Sequence, residues 1–120
     1  MPRPLKYQRT KYHKETEKQD LLHIMENANQ WIEELLRKIG KKSFVCHLYP
    51  ELINNIDVSI EDIASRHPEF KKYTRDSQRT RLSKARSIFK EGKEREALLI
   101  IIYSGKIDND TLSQAQKFLL

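Results

Sequence analysis

The chain has 120 residues, 38% of them hydrophobic and 33% charged, and its 23 lysines and arginines against 17 acids give a net charge of +6. That is the size of one domain with a modest core, and its regularly spaced Leu, Ile, Val and Phe exclude a fully disordered chain. The single Cys46 excludes an internal disulfide and a multi-cysteine zinc site, and it suits a reducing compartment.

The longest apolar run, Ala97 to Tyr103, falls far short of the roughly 20 residues a membrane span needs. The basic start has no apolar run behind it, so it does not resemble a signal peptide. These features predict a soluble intracellular protein with no membrane partner, nuclear in a eukaryote and cytoplasmic or nucleoid-bound in a bacterium.

Residues 1–15 are basic, carry two prolines and show no apolar periodicity, so they read as a flexible arm. Residues 16–120 read as one helical domain. Its first helix is expected from about Thr16, where Thr16 and Gln19 fit a capping box, to Ile39. Leu21, Ile24, Ala28, Trp31, Ile32, Leu35, Leu36 and Ile39 recur at helical spacing, and Gly40 fits the residue just past the end. Over 43–55 the apolar positions are helical but Pro50 interrupts them, which predicts two short pieces with Pro50 in the first turn of the second.

Ser59 reads as the N-cap of a two-turn helix, with Val58 and Ile63 at the positions of a hydrophobic staple. Pro68 ends that helix by His67. A connector from Pro68 to Tyr73, with Phe70 in the core, leads to a basic helix from about Arg75 to Lys90 closed by Gly92. A helix from Lys93 to Ser104, with a Leu98 to Ile102 core that is apolar nearly all round and therefore buried, ends at Gly105. A last helix follows a capping box of Thr111 and Gln114. All three glycines fall just after predicted helices, so the expected fold is all-α: a compact bundle of four to six helices containing a helix-turn-helix-like unit over about 58–90, preceded by the basic arm.

The charge is segregated. Between Lys71 and Lys90 eight basic residues stand against one acid, Asp76, and the first fourteen residues hold five more with no acid. Charge of one sign gathered in this way is the footprint of a polyanion partner, of which nucleic acid is the commonest. A short helix, a connector and a longer basic helix follow the helix-turn-helix pattern, in which the second helix lies in the major groove. The connector is longer than the usual three or four residues and holds no turn glycine, so a variant tri- or tetra-helical unit is expected. On a helical wheel the outer face of the basic helix offers Thr80, Ser83, Lys84 and Ser87, with Arg79 and Arg86 flanking one edge of the apolar strip and Arg81 the other. The predicted contacts are Arg75, Arg79, Thr80, Arg81, Lys84, Arg86 and Ser87, because arginine grips guanine bidentately and hydroxyls bond bases or phosphates. Arg3, Lys6, Arg9 and Lys11 of the arm are expected to follow the backbone or enter a minor groove.

The expectation is therefore a DNA-binding regulator of transcription or chromatin that prefers duplex DNA to RNA and uses no cofactor. An RNA-binding helical module is the weaker alternative, since only Tyr73 offers a stacking ring near the basic stretch. A second alternative is an adaptor that meets a protein partner through Trp31 and Leu35 of the first helix. Cys46-His47 and the scattered His13, His23 and His67 lack metal-ligand spacing, and no phosphate-binding loop or nucleophile elbow is present. The acids Glu61, Asp62, Asp108 and Asp110 sit where helix starts favour them, so no catalytic set emerges and an enzyme is not expected.

Overall fold

The structure is a computed structural model that describes residues 29–120. The arm with Arg3, Lys6, Arg9 and Lys11, the capping box at Thr16 and Gln19, and residues Leu21, Ile24 and Ala28 of the predicted first helix lie outside the described residues. The chain divides into two units, Met1–Trp31 and Ile32–Leu120. Among the described residues there are seven helices and no strand, so the all-α expectation holds.

Helix α1 covers residues 29–39 and buries Ile32, Leu36 and Ile39 in the core. Their spacing puts all three on one stripe, while Glu33, Glu34, Arg37 and Lys38 face water. Gly40 ends the helix with φ 89°, and its N–H donates to the Leu36 carbonyl at 2.8 Å. A side chain here would be strained by the backbone, and its Cβ would lie 2.9 Å from the Arg81 guanidinium.

Helix α2 runs through Lys41–Ser43, Phe44–Leu48 and Tyr49–Leu52 without a break. The expected two pieces are fused because Phe44–Leu48 winds as a π turn, with the Tyr49 N–H donating to the Phe44 carbonyl. The wider turn lets the α-helix restart at Tyr49, so Pro50 occupies a first-turn position where its missing N–H costs nothing.

Helix α3, Ile60–Arg66, starts as expected: the Ser59 side chain accepts the Asp62 N–H at 3.1 Å, and Val58 and Ile63 are both buried. Pro68 stops it but begins another single-turn helix, α4, Pro68–Lys71. This turn, expected as an irregular connector, brings the total above six. Proline suits a helix start because its φ is preset there and the N–H is not needed. Phe70 in α4 is fully buried.

Helix α5, Arg75–Lys90, is capped by Thr74, whose Oγ1 accepts the Ser77 N–H at 3.1 Å. Its end is a Schellman arrangement: the Gly92 N–H reaches the Phe89 carbonyl and the Lys93 N–H the Ile88 carbonyl, each at 3.0 Å. Helix α6, Glu94–Ser104, buries Ala97, Leu98 and Ile101 but leaves Leu99 exposed and Tyr103 82% exposed. Within the Leu98 to Ile102 core that was expected to be buried, Leu99 is the exposed member. The helix packs on α5 and α7, so its outer side has no neighbour among the described residues. Helix α7, Asn109–Leu119, starts two residues before Thr111, because Asp108 is the cap and accepts the Thr111 N–H at 2.7 Å.

The core joins these elements around Phe44, Leu48, Ile63, Phe70, Leu82, Ile88 and Leu98. Tyr49 anchors one edge, its ring centroid 4.5 Å from Phe118 and 5.1 Å from Phe89. No helix among the described residues is long and apolar enough to cross a membrane.

Candidate nucleic-acid interface

Helix α5 meets the core through Gln78, Leu82, Ala85 and Ile88, with Phe89 half-buried at the border. Gln78 is the polar member of that strip. Its Nε2 donates to the carbonyls of Phe70 at 3.3 Å and Tyr73 at 2.9 Å, which joins the end of α4 to the first turn of α5. A buried amide with two partners is satisfied, so it fixes register instead of destabilising the core.

All four arginines of the basic stretch bond within the chain, in two different ways. Arg81 and Arg86 are turned toward the body. Arg81 donates from Nε to Ser77 Oγ at 2.9 Å and from Nη1 to the Ile39 carbonyl, and its guanidinium lies 3.7 Å from the centroid of the Tyr73 ring. Arg86 donates from Nε to the Ile56 carbonyl and from Nη2 to the Val58 carbonyl, both at 2.7 Å. These two were predicted as outward contacts. The fold instead uses them to tie α5 to the end of α1 and to the loop before α3, where a planar fork can satisfy several acceptors at once.

Arg75 and Arg79 stay exposed. Arg75 Nη2 is 2.5 Å from Glu61 Oε2, and Arg79 Nη1 is 2.8 Å from Asp76 Oδ1. The Arg75 hydrogen bond holds the Glu61 carboxyl below its usual range. Exposed pairs of this kind contribute about 0–1 kcal/mol, so either arginine can exchange its carboxylate for a phosphate at little cost.

Thr80, Ser83 and Ser87 are exposed, with the Ser87 hydroxyl donating back to the Ser83 carbonyl at 3.1 Å. Lys84 is half-buried along its stem, while Lys71, Lys72 and Lys90 are exposed. None of these four lysines pairs with a carboxylate among the described residues. Of the expected set, Arg75, Arg79, Thr80, Lys84 and Ser87 thus stand on one accessible helix, and Arg81 and Arg86 do not. Ser83, read as part of the outer face, is exposed there as expected, and Lys71, Lys72 and Lys90, visible as charge in the sequence, join the accessible group.

A second polar cluster escaped the sequence reading. His47 is 5% exposed, its Nδ1 3.2 Å from Ser43 Oγ and its Nε2 3.7 Å from Glu69 Oε1. His67 Nε2 lies 2.8 Å from Glu51 Oε2, and Glu51 also receives Arg66 at 2.6 Å. The order Ser43, His47, Glu69 has the composition of a hydrolytic triad, but the Ser43 residue is 1% exposed, so its hydroxyl is out of a substrate's reach. The spacing of Ser43, His47 and Glu51, four residues apart on one helix, was the available signal. Cys46 is half-buried with Sγ 3.8 Å from Thr111 Oγ1, and burial pushes its thiol pKa up. Among the described residues no three His, Cys, Asp or Glu side chains are grouped to hold a metal ion.

On the first helix, Trp31 is 37% exposed and Leu35 half-buried, beside the fully buried Ile32 and Ile39. Comparison with known proteins found no matching family, no matching curated protein and no matching solved structure.

Proposed function

We propose that this domain is a DNA-binding protein, acting in transcription or chromatin, that lays the outer face of α5 on duplex DNA. The observation that carries the reading is charge segregation on an accessible helix. Lys84 and Lys90 lack acidic partners among the described residues, Arg79 is only loosely held, and Thr80, Ser83 and Ser87 lie between them. In this reading α3, α4 and α5 form a helix-turn-helix-like unit, with Lys71 and Lys72 of the connecting segment on flanking phosphates. Arg81 and Arg86 hold the reading helix in place instead of touching DNA. The arm residues Arg3, Lys6, Arg9 and Lys11 supply further backbone contacts.

Duplex DNA is preferred to single-stranded RNA because Tyr73, the one ring beside the basic stretch, has its face covered by Arg81 and cannot stack on a base. The buried Ser43 favours a binding protein over an enzyme. A protein partner at Trp31 and Leu35 is the second reading, favoured by the exposed indole.

The test is fluorescence anisotropy with labelled random-sequence duplex at about 50 and 200 mM salt, across which phosphate-dominated binding weakens steeply. Wild type is compared with Arg79→Ala/Lys84→Ala/Lys90→Ala, a set that spares the structural arginines. Salt-sensitive binding lost in the triple variant, with helicity intact by circular dichroism, supports the reading. Absence of binding at low salt, or binding that the variant retains in full, rules it out and turns attention to Trp31.

A further inference from the structure

We propose that the cleft between the start of α2 and the loop joining α6 to α7 is a second anion site, one that seats a phosphoryl group. The inference stands apart from the DNA reading, since none of its residues lies on α5.

The cleft has a volume of about 290 Å³ and is lined by Lys41, Lys42, Lys106, Ile107, Asp108 and Thr111. Small-ligand sites run from about 300 Å³ upward, so its size suits a compact group and not an extended molecule. Its lysines come from two segments far apart in the chain, 41–42 and 106. The fold gathers them, and no run of charge in the sequence does.

One acid, Asp108, stands among these lysines, and both its oxygens are engaged. Oδ1 accepts the Thr111 N–H at 2.7 Å, and Oδ2 lies 3.8 Å from Lys42 Nζ. Lys42 also faces Glu69 at 3.9 Å, from outside the cleft, so its charge is largely answered. Lys41, half-buried, and Lys106, exposed, pair with no carboxylate among the described residues. Two cations are therefore left without an acid beside one cleft.

The same cleft offers neutral donors. Thr111 lines it although the residue is fully buried, and the one side-chain partner of its hydroxyl is the Cys46 sulfur at 3.8 Å. A thiol is a weak partner, so the hydroxyl keeps most of its capacity to donate to an oxyanion. Helix α7 starts here, and the N–H groups of Asn109 and Asp110 have no carbonyl to bond within it. Asp110 itself is exposed and does not line the cleft. Ammonium groups, a hydroxyl and backbone N–H groups approach from different sides. A phosphoryl group, with three acceptor oxygens spread around phosphorus, can meet such a set, whereas the two coplanar oxygens of a carboxylate would leave donors unmet.

The phosphoryl group can belong to a free phosphate ester or to a nucleic-acid backbone, and the test separates these sources. Inorganic tripolyphosphate and a short random-sequence duplex are titrated separately into the isotope-labelled full chain at about 50 mM salt, followed by amide NMR. Tripolyphosphate should move the amides of Lys41, Lys106, Ile107 and Thr111 along one saturating curve. Lys41→Ala/Lys106→Ala should weaken this binding roughly fivefold or more, since two exposed charge contacts are lost. Lys84→Ala/Lys90→Ala, which removes the same charge from α5, should bind tripolyphosphate as wild type does. A duplex that moves the same cleft amides identifies the source as a backbone phosphate, and a duplex that leaves them in place identifies it as a free phosphate ester. Saturation in the cleft by a chain that takes no duplex keeps this site while removing the DNA reading. Cleft shifts that do not saturate, equal loss of binding in the two double variants, or a Lys41→Ala/Lys106→Ala protein that binds as wild type does, overturns the proposal.

Discussion

Replacing Arg86 with alanine removes two hydrogen bonds from a charged donor to the carbonyls of Ile56 and Val58, each at 2.7 Å. A hydrogen bond to a charged group contributes about 1.5–3 kcal/mol, so the pair sets an upper range of about 3–6 kcal/mol. Ile56 is half-buried and water can reach its carbonyl once the side chain is gone, whereas Val58 is buried and its carbonyl has no substitute. The expected loss is therefore about 2–4 kcal/mol. At about 4 °C per kcal/mol for a domain of this size, the Tm falls by roughly 8–16 °C.

Urea and thermal unfolding followed by circular dichroism measure this directly, with Arg79→Ala as the control. Arg79 has only an exposed pair to lose and should shift stability by less than about 0.5 kcal/mol. Arg86→Lys keeps the charge but cannot span two carbonyls, so it should restore less than half of the loss. Below its melting range the Arg86→Ala protein should bind DNA with an unchanged salt slope. An Arg86→Ala protein as stable as wild type but deficient in binding would show that Arg86 is a ligand-contacting residue and refute its assignment as a tie.

Lys84→Ala should leave stability nearly unchanged and reduce the log–log salt slope of DNA binding by about 0.9, the share of one phosphate contact; an unchanged slope would remove Lys84 from the interface. Gly40→Ala should cost about 1–3 kcal/mol in urea unfolding, because φ is 89° and the new methyl displaces the Arg81 guanidinium from the Ile39 carbonyl. Glu51 is held below the usual carboxylate range by the Arg66 hydrogen bonds and then by His67. Its stabilisation is present above the ordinary value of 4.5 and is lost as pH falls through the lower folded-state value, so the urea midpoint should drop there and drop less steeply in Glu51→Gln.

Local signals in the chain were sufficient for the helices. The Ser59 cap, the stop at Pro68 and the glycines after α1, α5 and α6 each act within a few residues of themselves, and the structure places all of them as expected. Asp108 was read as an acid favoured at a helix start but not as the cap itself, because the Thr111–Gln114 pattern competed for the same helix start. The π turn and the helix α4 are small departures from local rules, which become favourable only when Phe44, Leu48 and Phe70 find the shared core. The arginines show where local reading stops. A wheel puts Arg81 and Arg86 at the edges of the apolar strip, and whether an edge residue turns out or in depends on acceptors 42, 30 and 28 residues away. A count of charges therefore locates a basic helix without distinguishing the cations that hold it from those left to meet a partner. The histidine pair was missed for the same reason, since His67 reaches Glu51 across 16 residues.

The π turn at Phe44–Leu48 also gives α2 one residue of slack in its length. One turn there holds a residue more than an α-turn would, and from it Tyr49 emerges to meet Phe89 and Phe118. Deleting a single residue inside it would close the turn to α-geometry, in which one residue fewer completes the same revolution, so the residues downstream would keep their facing. A deletion in an ordinary α-turn has no such slack and rotates everything downstream by about 100°. The segment should therefore tolerate the loss of one residue far better than the regular turns of α5 would.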